Sequence, residues 1–251
     1  MTKTRISMDL FKDELKHLLN VLYEKENKNI AAAAKLCADC IEQQGVVQVF
    51  GSGHSVGFGM EMHDRIGDLV PVHQIDTADF VLKGKVTLAD FKDPVNIFER
   101  RPGIADKLYD LYNIGKEDVF IIISNSGING VVIDLAITAK ERGHKVIVVT
   151  SWQHTTAEDS RHPSGKKLYE FADVVIDNCG PQGDALLDTE KNERICSVSS
   201  ITGAMIAQTI GTETVRILME KGAEVPVLWD EALEGSKEHN QKLRNQYQGR
   251  I

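Results

Sequence analysis

The chain has 251 residues, 42% of them apolar and 26% charged, with a formal net charge of −8. A chain of this length buries a sizeable core, and its acidic balance excludes coating nucleic acid through a basic surface; its densest basic clusters are only the pairs Arg100–Arg101 and Lys166–Lys167. Four cysteines are too few for a disulfide framework, the N-terminal MTKTRISMDLFKDEL lacks the apolar run of a signal peptide, and no stretch is apolar enough to span a bilayer, so a cytoplasmic protein with neither nucleic acid nor membrane as partner is expected.

Residues 7–43 carry a helical period, with Leu10, Phe11, Leu15, Leu18, Leu19 and Leu22 on one stripe, and the asparagines at 27–29 predict a break into two helices. Cys37 and Cys40 form a C-x-x-C inside the alanine-rich second half. No second such pair follows and no strand precedes it, so buried helical thiols are favoured over a zinc or redox site. VVQVFG at 46–51 is a buried-strand signal, followed by a helix over about 55–67 and a weaker strand at 71–75. Residues 76–102 show no period. A structureless stretch of that length is rare, so it either hides short elements or serves function. Residues 103–113 read as helix, 118–124 as a continuous apolar strand, 130–143 as an amphipathic helix, 145–151 and 173–178 as strands, and 199–221 as a long helix with Ser199 or Ser200 as N-cap. The segment 229–247 reads as a charged surface segment open to a helical reading. Apolar strands alternating with helices predict an α/β fold with a parallel sheet covered on both faces. No linker or repeat interrupts it, so one domain is expected: a helical extension over 1–44, an α/β core over 45–222 and a C-terminal tail over 223–251.

Ligands of an open parallel sheet bind beyond the carboxyl ends of its strands. Here those ends are rich in glycine and hydroxyls: Gly51-Ser52-Gly53-His54-Ser55 after the first strand, Ser124-Asn125-Ser126-Gly127-Ile128-Asn129 after the 118–124 strand, and Thr150-Ser151 after the next. A further serine cluster at 197–200 opens the long helix. Glycines admit a ligand close to the backbone, helix N-termini offer free N–H groups, and hydroxyls add donors without charge; together they suit a phosphate. Other readings of the first loop fit less well. Gly53-His54-Ser55-Val56-Gly57 matches the G-x-S-x-G elbow of hydrolases, but that fold places several strands before its elbow. Gly51, Gly53 and Gly57 miss the dinucleotide spacing by one position, although Asp76 lies where a ribose-binding acid would sit. A P-loop is excluded because no Gly-Lys-Ser/Thr follows.

GSGHSxGxGxE at 51–61, IISNSGxN at 122–129 and AKxxGxKVIxVTS at 139–151 resemble the sugar isomerase (SIS) domain, over a span of about 30–222, in a branch similar to phosphoheptose isomerase, which acts on sedoheptulose 7-phosphate. The resemblance implies a three-layer α/β/α sandwich with a five-stranded parallel sheet and a homodimer or dimer of dimers; no cofactor is expected. It implies that Ser124, Asn125, Ser126, Gly127 and Asn129, with Ser52 or Ser55 and Ser151 nearby, cradle the phosphate of a phosphorylated sugar. SIS domains serve as isomerases and as phosphosugar sensors, so both functions stay open.

Phosphoheptose isomerases carry a His and a Glu on the helix after the first loop, and a Gln and a His on the last helix, which together can hold a metal. By spacing, the corresponding positions are Glu61, Arg65, Gln208 and Arg216. Two arginines stand where metal-competent groups would be, so no metal is expected. One reading makes Glu61 a base with Arg65 and Arg216 gripping a second anionic group; the other makes Glu61 and Arg65 an i,i+4 helix pair. Glu99, just before Pro102, and His54, within the loop, are the further acid–base candidates, against simpler roles as a helix-start acid and a surface histidine.

Overall fold

The computed structural model describes residues 6–101, 103–189 and 193–251. Five strands, β1 (Val47–Gly51), β2 (Val72–Ile75), β3 (Val119–Ile123), β4 (Lys145–Thr150) and β5 (Val174–Asp177), form an all-parallel sheet in the order β2-β1-β3-β4-β5. Alternate residues feed opposite faces, as the two-residue strand period requires. Val47, Val49, Val119, Ile121, Ile147 and Val149 enter one core, and Phe50, Phe120, Ile122, Val146 and Val148 enter the other.

The first face is covered by α1 (Met8–Glu42), α2 (Val56–Met62) and α8 (Ser199–Glu220), and the second by α5 (Ile104–Tyr109) and α6 (Gly130–Glu141). The expected break near Asn27–Asn29 does not occur: α1 is one helix of 35 residues. Glu26 is buried there and accepts a 2.7 Å bond from Asn29 Nδ2, while Ile30 and Ala33 pack in the core. Tertiary burial thus overrides the poor helix propensity of asparagine. Cys37 and Cys40 are buried within this helix, and burial pushes the Cys37 thiol up to about 12. α1 lies against α8 within the same chain, Thr214 Oγ1 reaching Ala34 O at 3.3 Å.

Residues 76–102 hide short elements: α3 (Asp79–Leu82), α4 (Leu88–Phe91) and a 3-10 turn at Phe98–Arg100, held by an aromatic cluster of Phe80, Phe91 and Phe98. After α7 (Trp152–Ala157) and β5 comes an antiparallel hairpin of β6 (Ala185–Asp188) and β7 (Arg194–Ser197), which leads into α8. The C-terminal stretch is no loose tail. Within α9 (Ser236–Gln246) Leu243 is buried, and just after it Tyr247 packs with Leu228 on Val46 and Val70. Further along, Arg250 pairs with the fully buried Asp118, which also accepts from Val46 N and Gln48 Nε2 at 2.9 Å each. No helix among the described residues is long and apolar enough to cross a membrane.

Candidate functional site

Strand order reverses between β1 and β3, so a crevice opens at their carboxyl ends. The register aligns Gly51 with Ile123, which sets Ser52 and Ser124 side by side at its mouth. Gly51 is required there: a Cβ on it would lie 2.5 Å from the carbonyl oxygen of Ser55. The following turn, a 3-10 helix at Gly53–Ser55, exposes His54 and leads into α2.

On the other side of the crevice the Ser124–Asn129 loop folds over itself. Ser124 is only 8% exposed; its Oγ accepts from Gly127 N at 3.1 Å and its own N–H donates to Val149 O at 3.0 Å. Gly127 takes φ +62, and a Cβ there would sit 2.7 Å from Thr155 Oγ1. Both the left-handed backbone and the close approach exclude other residues. The Ser126 hydroxyl has no hydrogen-bond partner among the described residues, and Asn129 is the N-cap of α6 without capping it through its side chain. The N–H groups that a helix start leaves without intrahelical partners therefore lie only a few residues beyond the Ser126 hydroxyl.

A cleft of about 160 Å³ continues from here between the first loop, Glu61, Asn125, Asn178 and the start of α8 at Ser199 and Ser200. Asn178 Nδ2 donates to Asn125 Oδ1 at 2.9 Å, and Asn178 Oδ1 accepts from Gly180 N at 2.8 Å, which fixes both amides. The cap of α8 is not a serine: its N-cap is Val198, and Asp184 accepts from Ser199 N and Ser199 Oγ at 2.8 Å each.

Glu99 lies at the same sheet edge. Burial raises its pKa, and the charge of Asp76 at the end of β2 raises it further, while the hydroxyls of Ser52 and Thr77 act the other way by bonding the carboxylate. Thr77 is buried and nothing in the sequence pattern singles it out; only the folded chain brings it beside Glu99. Glu61 lines the cleft but is engaged: Arg65 forms an ion pair with it from one turn along the chain, and Gln208 Nε2 donates to its Oε1 at 3.0 Å. The i,i+4 reading of Glu61 and Arg65 is therefore present in the fold. Arg216 is not brought to the cleft; it pairs with Glu213 and Glu220 on the exposed side of α8. Ser151 faces the strand end, fully buried; its hydroxyl donates to Gly180 O at 2.6 Å and accepts from His154 N at 3.1 Å. It shapes the rim rather than offering a free donor.

The family model of the SIS domain matches residues 10–151. A UPF0309 protein of Listeria monocytogenes is 36% identical over 243 residues, covering 96% of this chain and 97% of that protein. One from Geobacillus sp. is 34% identical over 234 residues, with 93% and 92% covered. Among solved structures, a phosphoheptose isomerase from Francisella tularensis superposes with a TM-score of 0.53 at 16% identity, covering 84% of this chain and 99% of that one. The phosphoheptose isomerase from Neisseria gonorrhoeae gives 0.51 at 16% identity, with 82% and 95% covered. At such identities these likenesses speak for the fold.

Proposed function

The chain belongs to the SIS domain family, and from that premise we propose that it binds a phosphorylated sugar across the β1/β3 switch point and isomerises it, or runs a related proton transfer. The phosphate sits against Ser124, Ser126 and the backbone N–H groups at the start of α6, with Ser52 and Ser55 closing from the first loop. The sugar lies toward Glu99, which removes the proton next to the carbonyl and returns it to the former carbonyl carbon, while the hydroxyl proton of the first carbon passes to the carbonyl oxygen through the enediol. His54 and Glu61, on the opposite wall, orient the sugar hydroxyls. The proposal needs no cofactor: one carboxylate and a set of fixed donors supply the acid–base and electrostatic parts of such a reaction.

The observation that carries this reading is the environment of Glu99. A half-buried carboxylate, next to Asp76 and without a cationic partner among the described residues, holds its proton to higher pH than a free one. That is the property a general acid–base group uses. A second reading, a phosphosugar sensor without turnover, is favoured by the engagement of Glu61 with Arg65 and Gln208. A panel of aldose and ketose phosphates in deuterated water, followed by NMR, separates the two. Conversion, or deuterium incorporation next to the carbonyl, abolished in Glu99→Gln, is expected. Binding of several sugars with neither outcome would leave the sensor reading in its place.

The same proposal sets the protein in the cytoplasm as a homodimer or dimer of dimers. α1 and α8 cover each other within one chain, so the apolar surface for assembly must come from elsewhere; exposed Met60 on α2 and Met205 on the adjoining α8 offer it. Light scattering at micromolar concentration tests this, and a monomer there would contradict it.

A further inference from the structure

The residues lining the cleft include no lysine or arginine; Glu61 lines it, its charge already paired with Arg65, and Glu99, with Asp76 nearby, bonds Ser52 just beyond β1. A phosphate monoester arrives as a near-dianion at neutral pH, since its second pKa is about 6. Hydroxyls and backbone N–H groups carry no net charge to set against that dianion and Glu99, unpaired among the described residues. The chain as a whole, at −8, adds to the repulsion.

Seven of the arginines in the described residues are held by carboxylates: Arg65, Arg101, Arg142, Arg194, Arg216, Arg244 and Arg250. Arg100 and Arg161 are not, and only Arg161 touches the Ser124–Asn129 loop. Its backbone N–H donates to Ile128 O at 3.0 Å, and its guanidinium donates to Asn129 Oδ1 at 3.2 Å. The segment around it is strapped to the same loop: Leu168 N donates to Gly127 O at 2.9 Å, and the ring of His162 pairs with Asp134 in the first turns of α6 at 2.8 Å. The strap fixes the Arg161 backbone from outside the loop while its charged end lies at the N-cap of the helix that aims at the phosphate.

We infer that Arg161 supplies the cation of the phosphate site, exchanging its single 3.2 Å bond to Asn129 for a charge-assisted contact with the phosphate when the ligand binds. The inference rests on the phosphosugar reading above and adds to it a residue outside the SIS-like motifs. A guanidinium suits the task, because it stays charged at all working pH and presents paired donors to phosphate oxygens. Its anchorage is through the main chain, so a side-chain substitution removes the charge and leaves the strap in place.

The test is calorimetric titration with sedoheptulose 7-phosphate and, in parallel, with inorganic phosphate, of wild type, Arg161→Gln, Arg161→Lys and Arg142→Gln. Arg142 carries the same charge at the far end of α6, paired with Asp110, and serves as the control for net charge. Arg161→Gln is expected to weaken both probes about tenfold or more. It should also flatten the gain in affinity expected of the wild type between pH 5 and 7 as the phosphate loses its second proton, with the neighbouring His162–Asp134 pair unchanged in both proteins. Arg161→Lys should recover part of the loss and Arg142→Gln should match the wild type. Wild-type affinity and pH dependence in Arg161→Gln, with binding lost when Ser124 and Ser126 are both replaced, would overturn the role of Arg161 and leave the phosphate loop standing. Failure of the wild type to bind either probe would overturn both.

Discussion

Replacing Ser124 and Ser126 with alanine probes the phosphate loop most directly, and the structure assigns the two hydroxyls different duties. Ser126 has no partner among the described residues, so its hydroxyl is available to a ligand. Ser124 is buried and accepts from Gly127 N at 3.1 Å, yet its own proton remains to be donated. A hydrogen bond to a charged group is worth about 1.5–3 kcal/mol, so the double variant should lose roughly 3–5 kcal/mol of binding once water fills part of the gap. That is about a hundredfold or more in affinity. Stability separates the two positions. Ser124→Ala leaves the Gly127 N–H buried without an acceptor, at a cost of about 1–3 kcal/mol, or a Tm lower by roughly 3–10 °C in a chain of this size. Ser126→Ala should stay within about 0.5 kcal/mol of wild type. From the sequence alone both hydroxyls are expected to face the site, with little effect on the fold; burial of Ser124 corrects that for one of them. Titration of both single variants and the double variant with the best-bound sugar phosphate, beside thermal unfolding, measures both quantities. Equal affinities in wild type and double variant would refute the placement of the phosphate.

Because burial and Asp76 raise the Glu99 pKa, its charge opposes folding above that raised value and not below the ordinary carboxylate range. Glu99→Gln should therefore unfold at a higher temperature than wild type at pH 7 but not at pH 4, and an advantage at both pH values would contradict the electrostatic cause. His73, whose Nδ1 bonds Gln48 Oε1 at 2.8 Å, has its pKa lowered to about 4, first by burial and then by the charges of His63 and Lys83. Its contribution is present above the unfolded value of about 6.5 and is lost as pH falls toward 4, by about 3 kcal/mol in all; His73→Gln should flatten that acid limb in urea titrations, and an unchanged limb would place the titration elsewhere. Arg250→Ala strips the buried Asp118 of its cation but leaves it the N–H donors of Val46, Gly115 and Gln48, so a loss of about 2–3 kcal/mol is expected by denaturant unfolding, and a change under about 0.5 kcal/mol would show the pair to be surface-like.

The strands of the sheet were legible because each is a short apolar run that ends in glycine, serine or aspartate, and a parallel sheet buries both faces of such runs. The loops at 51–55 and 124–129 were legible for the same reason: their glycines and hydroxyls interrupt an otherwise continuous pattern. What escaped depends on contacts distant in sequence. The asparagines at 27–29 suggest a break until Ile30 and Ala33 are seen packed beside α8. The 76–102 segment has no period because its short helices bury single residues, such as Phe80 and Phe98, rather than faces. Thr77 reaches Glu99 across 22 positions, and Arg161 reaches Asn129 across 32; neither spacing leaves a trace in a linear reading. The hairpin of β6 and β7 was missed because its pairs are half exposed and lack an unbroken apolar run.

The choice between Glu61 and Glu99 turns on what surrounds each carboxylate. Glu61 has a guanidinium on one side and an amide donor on the other, and both hold its carboxylate in place. A carboxylate held that way is placed to orient a hydroxyl. Glu99 is held differently. Its neighbours Ser52 and Thr77 are neutral donors, and Asp76 repels its charge, so protonation relieves repulsion instead of breaking an ion pair. Glu99 therefore has the environment of a group that exchanges a proton beside a bound sugar. Ser52 then links the two halves of the site: it bonds Glu99 and stands beside Ser124 at the mouth of the crevice. A phosphate drawing the Ser52 hydroxyl toward itself would remove one of the two bonds that favour the charged form of Glu99 and raise its pKa further. Ligand binding and the readiness of the base are thereby coupled through a single hydroxyl. Ser52→Ala should accordingly reduce kcat and shift its acidic pH limb upward, toward the limb expected of Glu99 without that bond; loss of affinity alone, with kcat and its pH profile intact, would show that Ser52 serves the phosphate and not the base.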